Sequence, residues 1–150
     1  MDLLLWRHAE AVEGTPDHLR ELTERGRKQA RKVARWLDDN RPKRLRVMAS
    51  PTVRTRQTVS AFTDDFEIIT ALAPEHGVSD ILAATGWPEG RGAVLVVGHQ
   101  PTLGRLAALL LSGQEAPWSV KKGALWWFTN RVRNDETQTV LRTVITPDMI

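Results

Sequence analysis

Two histidines in this sequence each stand where an apolar, strand-like run meets polar residues. Residues 3–6 (Leu-Leu-Leu-Trp) lead into Arg7-His8, and residues 93–97 lead into Gly98-His99. A histidine in this setting can act as a nucleophile or as a base, and the guanidinium beside His8 can hold a planar or tetrahedral oxyanion. Because two strand ends each deliver a histidine, we expect both to belong to one site.

Two further arginines belong to the same group. Arg20 lies in the loop that follows the first strand, and Arg54 lies in a helix that we expect to begin at Ser50-Pro51. Three guanidiniums and a second histidine around one histidine would form a cage for a dianion such as a phosphoryl group. Phosphoryl transfer depends mainly on positioning and charge stabilisation, and a neutral imidazole can attack phosphorus without a metal. The residues alone leave open whether His8 or His99 would be the nucleophile.

Several other chemistries are excluded or unsupported. The chain has no cysteine, so disulfides, thiolate metal sites and a cysteine nucleophile are impossible. The four histidines have no metal-ligand spacing, and neither a Walker phosphate loop nor a Gly-x-Ser-x-Gly motif is present. We therefore expect no metal and no cofactor.

The positions of these residues depend on the elements around them. Thr23 can cap a helix that runs to about Asn40, because Ala30, Val33, Ala34 and Leu37 have the spacing of one buried face. Ser50 can cap the helix that begins at Pro51. Further helices are predicted at about 80–84 and 101–111, and strands at 3–6, 45–49, 67–70, 93–97, 124–129 and 138–145, with a long polar loop over 130–137.

This order predicts an α/β protein, a three-layer αβα sandwich with a mainly parallel sheet and an antiparallel edge. In such sheets ligands bind at the carboxyl ends of the strands. Arg7, His8, Ser50 and His99 would all lie at that edge, and residues 9–21 would form a loop over it.

Length and composition fit a single domain spanning residues 1–150. The chain is 41% hydrophobic and 26% charged, with a formal net charge of +3. It has no apolar run of the roughly 20 residues that span a bilayer and no signal-like start. We expect a cytoplasmic monomer without a membrane or nucleic-acid partner, and we interpret the arginines and lysines of helix 23–40 as a solvated face.

Four sequence elements together resemble the histidine phosphatase superfamily, also called the phosphoglycerate mutase-like fold, and more narrowly its SixA-type phosphohistidine phosphatases. The elements are the Arg-His pair, Arg20 before Leu22-Thr23-x-x-Gly26, Ser50-Pro51-x-x-Arg54-x-x-Gln57-Thr58, and Gly98-His99-x-Pro101. The resemblance implies that His8 is the phosphorylated nucleophile, that Arg7, Arg20 and Arg54 clamp the phosphoryl oxygens, and that His99 contacts the phosphate opposite His8. Ala9 departs from the family pattern, which has glycine after Arg-His; if its φ were positive, alanine would be strained there.

Phosphate esters need an acid to protonate the leaving group, and the candidate region is residues 74–80. Glu75 could be that acid, with His76 and Asp80 as alternatives, although all three could equally be ordinary loop residues. An imidazole leaving group depends less on an acid. The weak signal for an acid, together with short connections around the site, favours phosphohistidine on a signalling or phosphotransfer protein as the substrate. The alternatives are a small-molecule phosphomonoesterase of the same fold and a non-catalytic phosphate-binding module.

Overall fold

The computed structural model describes all 150 residues of the chain. Ten regular elements form its framework, and short 3₁₀ turns lie at Asp17–Leu19, Thr70–Leu72 and Pro147–Met149. The elements are β1 (Asp2–Arg7), α1 (Glu24–Asn40), β2 (Leu45–Ala49), α2 (Val53–Ser60), β3 (Glu67–Ile68), α3 (Val78–Thr85), β4 (Ala93–Gly98), α4 (Thr102–Ser112), β5 (Leu125–Arg133) and β6 (Glu136–Ile145).

One six-stranded sheet runs through the molecule in the order β3-β2-β4-β1-β5-β6. The first four strands in this order are parallel, and β5 and β6 run antiparallel at one edge. The predicted α/β class, with a mainly parallel sheet and an antiparallel edge, is confirmed. No helix is both long enough and apolar enough to cross a membrane.

The two faces of the sheet are buried under different helices. Leu4 and Trp6 of β1 pack with the buried faces of α1 and α2, whereas Leu3 and Leu5 pack with α3 and α4. Successive side chains of a strand point to opposite faces, so an uninterrupted apolar strand such as β1 or β4 serves both layers. This arrangement is the expected three-layer sandwich.

Helix α1 follows its sequence signals closely. The Thr23 side chain accepts a hydrogen bond from the Gly26 amide at 2.9 Å and caps the helix, as predicted. The first turn packs directly on the chain that leaves β1: a Cβ at Gly26 would lie 2.0 Å from the Glu10 carbonyl oxygen. Glycine is required here for close approach, and it fixes α1 against the residues that follow His8.

The start of α2 differs from the prediction. The helix begins at Val53 rather than at Pro51, and its cap is Thr52, whose side chain accepts from the Thr55 amide at 3.4 Å. The prediction that Ser50 caps the helix is wrong, because its hydroxyl contacts a histidine of the site described below. The strand predicted at 67–70 is also shorter, since Thr70 already belongs to a 3₁₀ turn.

The predicted long loop over 130–137 is wrong as well. Strands β5 and β6 continue pairing out to Arg133 and Glu136, and only Asn134 and Asp135 form the turn. Both turn residues have positive φ, 53° and 63°, the geometry that allows a two-residue hairpin. Backbone pairing extends this ribbon through polar residues that lack an alternating apolar pattern.

Candidate functional site

The carboxyl ends of β1, β2 and β4 place three polar residues side by side. Arg7 of β1 is in register with Gly98 of β4, and Ala49 of β2 is in register with Val97. The next residues are therefore His8, His99 and Ser50, all of them buried. As predicted, the two histidines share one site, and their ring centroids are 5.2 Å apart.

His8 has one nitrogen fixed by the backbone and the other free. Its Nδ1 lies 2.7 Å from the Ala9 carbonyl oxygen. Because a carbonyl only accepts, Nδ1 carries the proton and donates it, which leaves the lone pair on Nε2. Nε2 has no hydrogen-bond partner in the protein and retains contact with solvent.

Ala9, the departure from the family pattern, is not strained. The non-glycine residues with positive φ are Asn134 and Asp135, so Ala9 has an ordinary backbone conformation. Its amide donates to Thr58 Oγ1 at 3.1 Å, and its side chain is fully buried beside Leu22 and Ala30. The alanine methyl group therefore packs in the core while the carbonyl orients His8.

His99 has both ring nitrogens engaged within the protein. Nε2 lies 2.8 Å from Ser50 Oγ, and Nδ1 lies 3.4 Å from Arg54 Nη2. A guanidinium nitrogen can only donate, so His99 Nδ1 accepts and Nε2 donates to the serine hydroxyl. The two histidines thus have different hydrogen-bonding states.

Burial and surrounding positive charge hold both imidazoles neutral. The pKa of His8 is lowered to about 4, chiefly by desolvation and further by the charges of Arg54, Arg7 and Arg20. The pKa of His99 is lowered to about 3, again chiefly by desolvation, with His8 and Arg54 contributing. Near neutral pH the lone pair on His8 Nε2 is therefore available for attack.

Arg7 and Arg54 each keep a buried donor without a partner. Arg7 Nη1 donates to the Val120 carbonyl at 2.9 Å, and Arg54 Nη1 donates to the Asp17 carbonyl at 2.8 Å. The Nε atom of each arginine is buried and has no hydrogen-bond partner in the protein. An unmatched buried donor costs free energy, and the charges of both guanidiniums reach His8, so an anion bound near His8 would supply the missing acceptor.

Asp17 is a residue of this site that the sequence reasoning missed. One carboxylate oxygen accepts from Arg54 Nη2 at 3.0 Å, and the other accepts from Arg20 Nη1 at 3.0 Å. Arg20, chiefly, and Arg54 hold the pKa of this carboxyl below its usual range. The spacing of Asp17 three residues before Arg20 was the available signal. The loop over the site is confirmed by these contacts.

The three acid candidates lie on the α3 side of the site. Glu75 is exposed, and its side chain makes no hydrogen bond or ion pair with the protein. Asp80 accepts from the Gly77 amide at 3.0 Å, and this hydrogen bond lowers its pKa, as does its contact with His76. His76 and His99 line one small cavity beside the end of β4. No group of three or more histidine, aspartate or glutamate residues is arranged to hold a metal ion.

Comparisons with known proteins find one matching family and several similar chains. The model of the histidine phosphatase superfamily (branch 1) matches residues 3–81. The chain is 30% identical over 126 residues to the phosphohistidine phosphatase SixA of Escherichia coli (strain K12), covering 78% of each chain. It is 31% identical over 127 residues to a SixA homolog of Haemophilus influenzae, covering 73% of this chain and 77% of that one. The solved structure of the protein histidine phosphatase SixA complexed with tungstate has a TM-score of 0.79 and 28% identity, covering 99% of both chains.

Proposed function

This chain belongs to the histidine phosphatase superfamily (branch 1) and is a phosphatase, and we propose that it hydrolyses phosphohistidine carried by another protein. In this proposal the phosphoryl group passes through a covalent intermediate on His8, without a metal. The whole cycle then uses side chains of the cage formed by Arg7, His8, Arg20, Arg54 and His99. A cytoplasmic location and a monomeric state stay predictions from the sequence.

The observation that carries the proposal is the state of His8. Its Nδ1–H is bound to the Ala9 carbonyl, its Nε2 is free, and its depressed pKa keeps Nε2 unprotonated. The unpartnered Nε atoms of Arg7 and Arg54 offer donors to a bound oxyanion. A fixed neutral imidazole beside guanidinium donors is suited to nucleophilic attack on a phosphoryl group.

Each remaining residue has a role in this scheme. Arg7, Arg20 and Arg54 bind the phosphoryl oxygens and neutralise their charge, as the family resemblance implies. Asp17 holds Arg20 and Arg54 together before the substrate arrives. The family resemblance implies that His99 contacts the phosphoryl group opposite His8. For this contact His99 takes its other tautomer, in which Nδ1 leaves Arg54 and donates to a phosphoryl oxygen while Nε2 accepts from the Ser50 hydroxyl.

The proposed reaction has two steps. The lone pair of His8 Nε2 attacks phosphorus in line with the P–N bond of the substrate. That bond breaks, and its electron pair goes to the departing imidazole, which leaves neutral if its ring was already protonated. Water then attacks the phosphoryl group on His8, releasing orthophosphate and a proton and restoring the neutral ring.

Two observations support phosphohistidine over a phosphate ester. The curated relatives with assigned names are phosphohistidine phosphatases. Neither carboxyl group of the 74–80 region is set up to protonate an alkoxide: Glu75 is exposed, and the pKa of Asp80 is lowered by its hydrogen bond to the Gly77 amide. A protonated imidazole leaves without such help.

The test is a rapid-mixing experiment with a radiolabelled phosphohistidine protein and, in parallel, an aryl phosphate. We expect acid-labile label on the wild-type chain within the first turnover, mapped to His8, followed by release of orthophosphate. His8→Ala should form no labelled intermediate. If His8→Ala released phosphate as fast as wild type, the covalent mechanism would be wrong.

The same experiment separates the alternatives. Rapid turnover of the aryl phosphate combined with a large loss in Glu75→Gln would identify a small-molecule phosphomonoesterase that uses Glu75 as its acid. Tight binding of phosphate without turnover of either substrate would identify a phosphate-binding module. A phosphohistidine phosphatase should retain most of its activity on the protein substrate in Glu75→Gln.

A further inference from the structure

A basic cleft of about 630 Å³ lies beside the cage and shares Arg7 with it. Apart from Pro147, its walls are polar, and they carry only two carboxylates, Glu10 and Asp148. The cations that line it are Arg7, Arg25, Lys28, Lys32, Lys121 and Lys122. The cleft therefore has an excess of positive charge next to the place where His8 acts.

One wall of the basic cleft is a face of α1. Arg25, Lys28 and Lys32 are three and four residues apart, so they follow one another along the same side of the helix. All three side chains are exposed. Their exposure agrees with the sequence interpretation of a solvated face, and the same side chains also line one wall of the cleft.

The other wall is the segment 119–123, which is fastened to the end of β1. Val120 accepts from Arg7 Nη1 at 2.9 Å, and the Gly123 amide donates to the His8 carbonyl at 3.1 Å. Gly123 has a φ of +75°, and a Cβ there would lie 3.0 Å from Pro147 Cγ and 3.4 Å from Gln29 Cβ. This close packing fixes Lys121 and Lys122 opposite α1.

The two carboxylates leave most of the positive charge uncompensated. Glu10 Oε1 accepts from the Thr23 hydroxyl at 2.9 Å, so this carboxylate is engaged at the start of α1. Hydrogen bonds, chiefly with Thr146, lower the pKa of Asp148, and the charges of Lys121 and Lys32 add to this effect. Arg25 and Lys28 have no acidic partner within ion-pair distance.

We propose that the basic cleft is the docking surface for an acidic segment of the protein that presents the phosphohistidine. This inference rests on the proposed function. His8 is only 7% exposed, so a phosphohistidine must insert its ring toward the cage while the surrounding substrate surface lies against the rim. Because the cleft reaches the cage at Arg7, carboxylates flanking the inserted histidine would meet Lys28, Lys32 and Lys122. Complementary charge of this kind accelerates encounter and fixes orientation.

A second cleft, of about 550 Å³, lies on the other side of α1 and provides the contrast. It lies between α1 and α2 and includes Arg27, Arg31 and Arg56, but it contains no residue of the cage. Arg27 also has an acidic neighbour, Glu21, at 3.9 Å. Arg56 of α2 also belongs to this second cleft. Because no cage residue lines this second cleft, it is the less suitable docking surface.

The test compares two charge reversals of the same size on the same helix. Lys28→Glu/Lys32→Glu changes the basic cleft, and Arg31→Glu/Arg35→Glu changes two exposed cations outside it at identical i,i+4 spacing. Each variant is assayed for kcat/KM on a phosphorylated, acidic phosphotransfer domain and on an aryl phosphate. Thermal unfolding checks that both variants fold.

For the protein substrate, we expect kcat/KM of the Lys28/Lys32 variant to fall by roughly tenfold or more, mainly because KM rises. This loss is measured relative to the change in kcat/KM of the same variant for the aryl phosphate. The difference should shrink as the salt concentration is raised to about 0.5 M, because exposed charges are then screened. The Arg31/Arg35 variant should lose less than about threefold on the protein. Equal losses in the two variants, or an equal loss on both substrates, would overturn the docking proposal.

A binding measurement separates this proposal from the proposed function. The same domain is titrated against the chain in a His8→Ala background, where no turnover is required. If only the Lys28/Lys32 variant binds more weakly, the docking proposal is supported even when wild type fails to hydrolyse the domain. That failure would refute only the proposed phosphohistidine phosphatase activity. If wild type hydrolyses the domain and the Lys28 and Lys32 substitutions leave binding unchanged, only the docking proposal is refuted.

Discussion

His8 and His99 occupy equivalent places at the ends of neighbouring parallel strands, yet their surroundings differ in one decisive respect. His8 gives its Nδ1 proton to the Ala9 carbonyl and leaves Nε2 free. His99 uses both nitrogens, donating to Ser50 and accepting from Arg54. Both rings are neutral near pH 7, because burial and nearby cations lower both pKa values.

The difference between the two histidines lies in hydrogen bonding and not in protonation. A nucleophile needs an unshared lone pair, and only His8 presents one that no protein donor occupies. His99 is instead tethered between a hydroxyl and a guanidinium, which suits a group that must hold its orientation. From the residues alone either could be the nucleophile, and this contrast supports His8 independently of the family resemblance.

Replacing each histidine in turn has the largest expected effect on turnover. His8→Asn should lower phosphohistidine turnover by about 10⁴-fold or more and abolish the acid-labile label. His99→Asn should lower turnover by roughly 10²-fold while label still appears on His8, because only a stabilising contact is lost. Single-turnover labelling measures both. Label on His99 in the His8→Asn chain would identify His99, and not His8, as the nucleophile.

Acidification tests the property that the two histidines share. Each has a folded-state pKa below its unfolded value of about 6.5, so the unfolded chain binds more protons between these values. Their contribution to stability is complete above about pH 6.5 and declines as the pH falls toward 4. For His8 alone we expect the free energy of unfolding to be about 2 kcal/mol lower at pH 5 than at pH 7.5.

Urea unfolding at several pH values measures this slope. His8→Asn and His99→Asn should each flatten it between pH 6.5 and 4, because each removes one group that takes up a proton on unfolding. His18→Asn serves as the control, since His18 lies exposed in the loop over the site. An unchanged slope in both buried-histidine variants would mean that neither ring is held neutral by burial.

Asp17 joins two arginines of the cage, and one of them, Arg54, also contacts His99. Its carboxylate contacts Arg54 and Arg20, which are the donors that a phosphoryl group would use. Asp17→Asn removes a competing negative charge, and we expect orthophosphate, the product of the proposed reaction, to inhibit roughly tenfold more tightly. The exposed Asp65→Asn variant is the matched control. Weaker inhibition in Asp17→Asn would show that the positioning of the two arginines by Asp17 matters more than its competition with the bound anion.

Ser50 gives the smallest expected effect. Ser50→Ala removes the acceptor of the His99 Nε2 proton, although Thr52 Oγ1, 3.5 Å away, can replace it in part. We expect kcat to fall by about threefold to tenfold, with label still forming on His8. Ser60→Ala, an exposed serine at the end of α2, is the control. A loss as large as that of His99→Asn would make the serine contact essential to the function of His99.

The fold could be predicted in outline because its signals are local. Continuous apolar runs identified β1 and β4, and periodic alanine, valine and leucine residues with Thr23 identified α1. The extended β5–β6 ribbon was missed because residues such as Asn130 and Arg131 pair through their backbones and carry no apolar pattern. The cap of α2 was assigned to Ser50 because the sequence does not reveal that His99 binds that hydroxyl.

The sequence by itself determined which groups are available: two histidines at strand ends, three arginines and no cysteine. Only the tertiary structure decided how they are used. The Ala9 carbonyl fixes the ring of His8, Ser50 fixes that of His99, and Asp17 joins Arg20 to Arg54 across separate elements. Side-chain chemistry is a property of residue type, whereas hydrogen-bond partners and burial arise from contacts between segments distant in the chain.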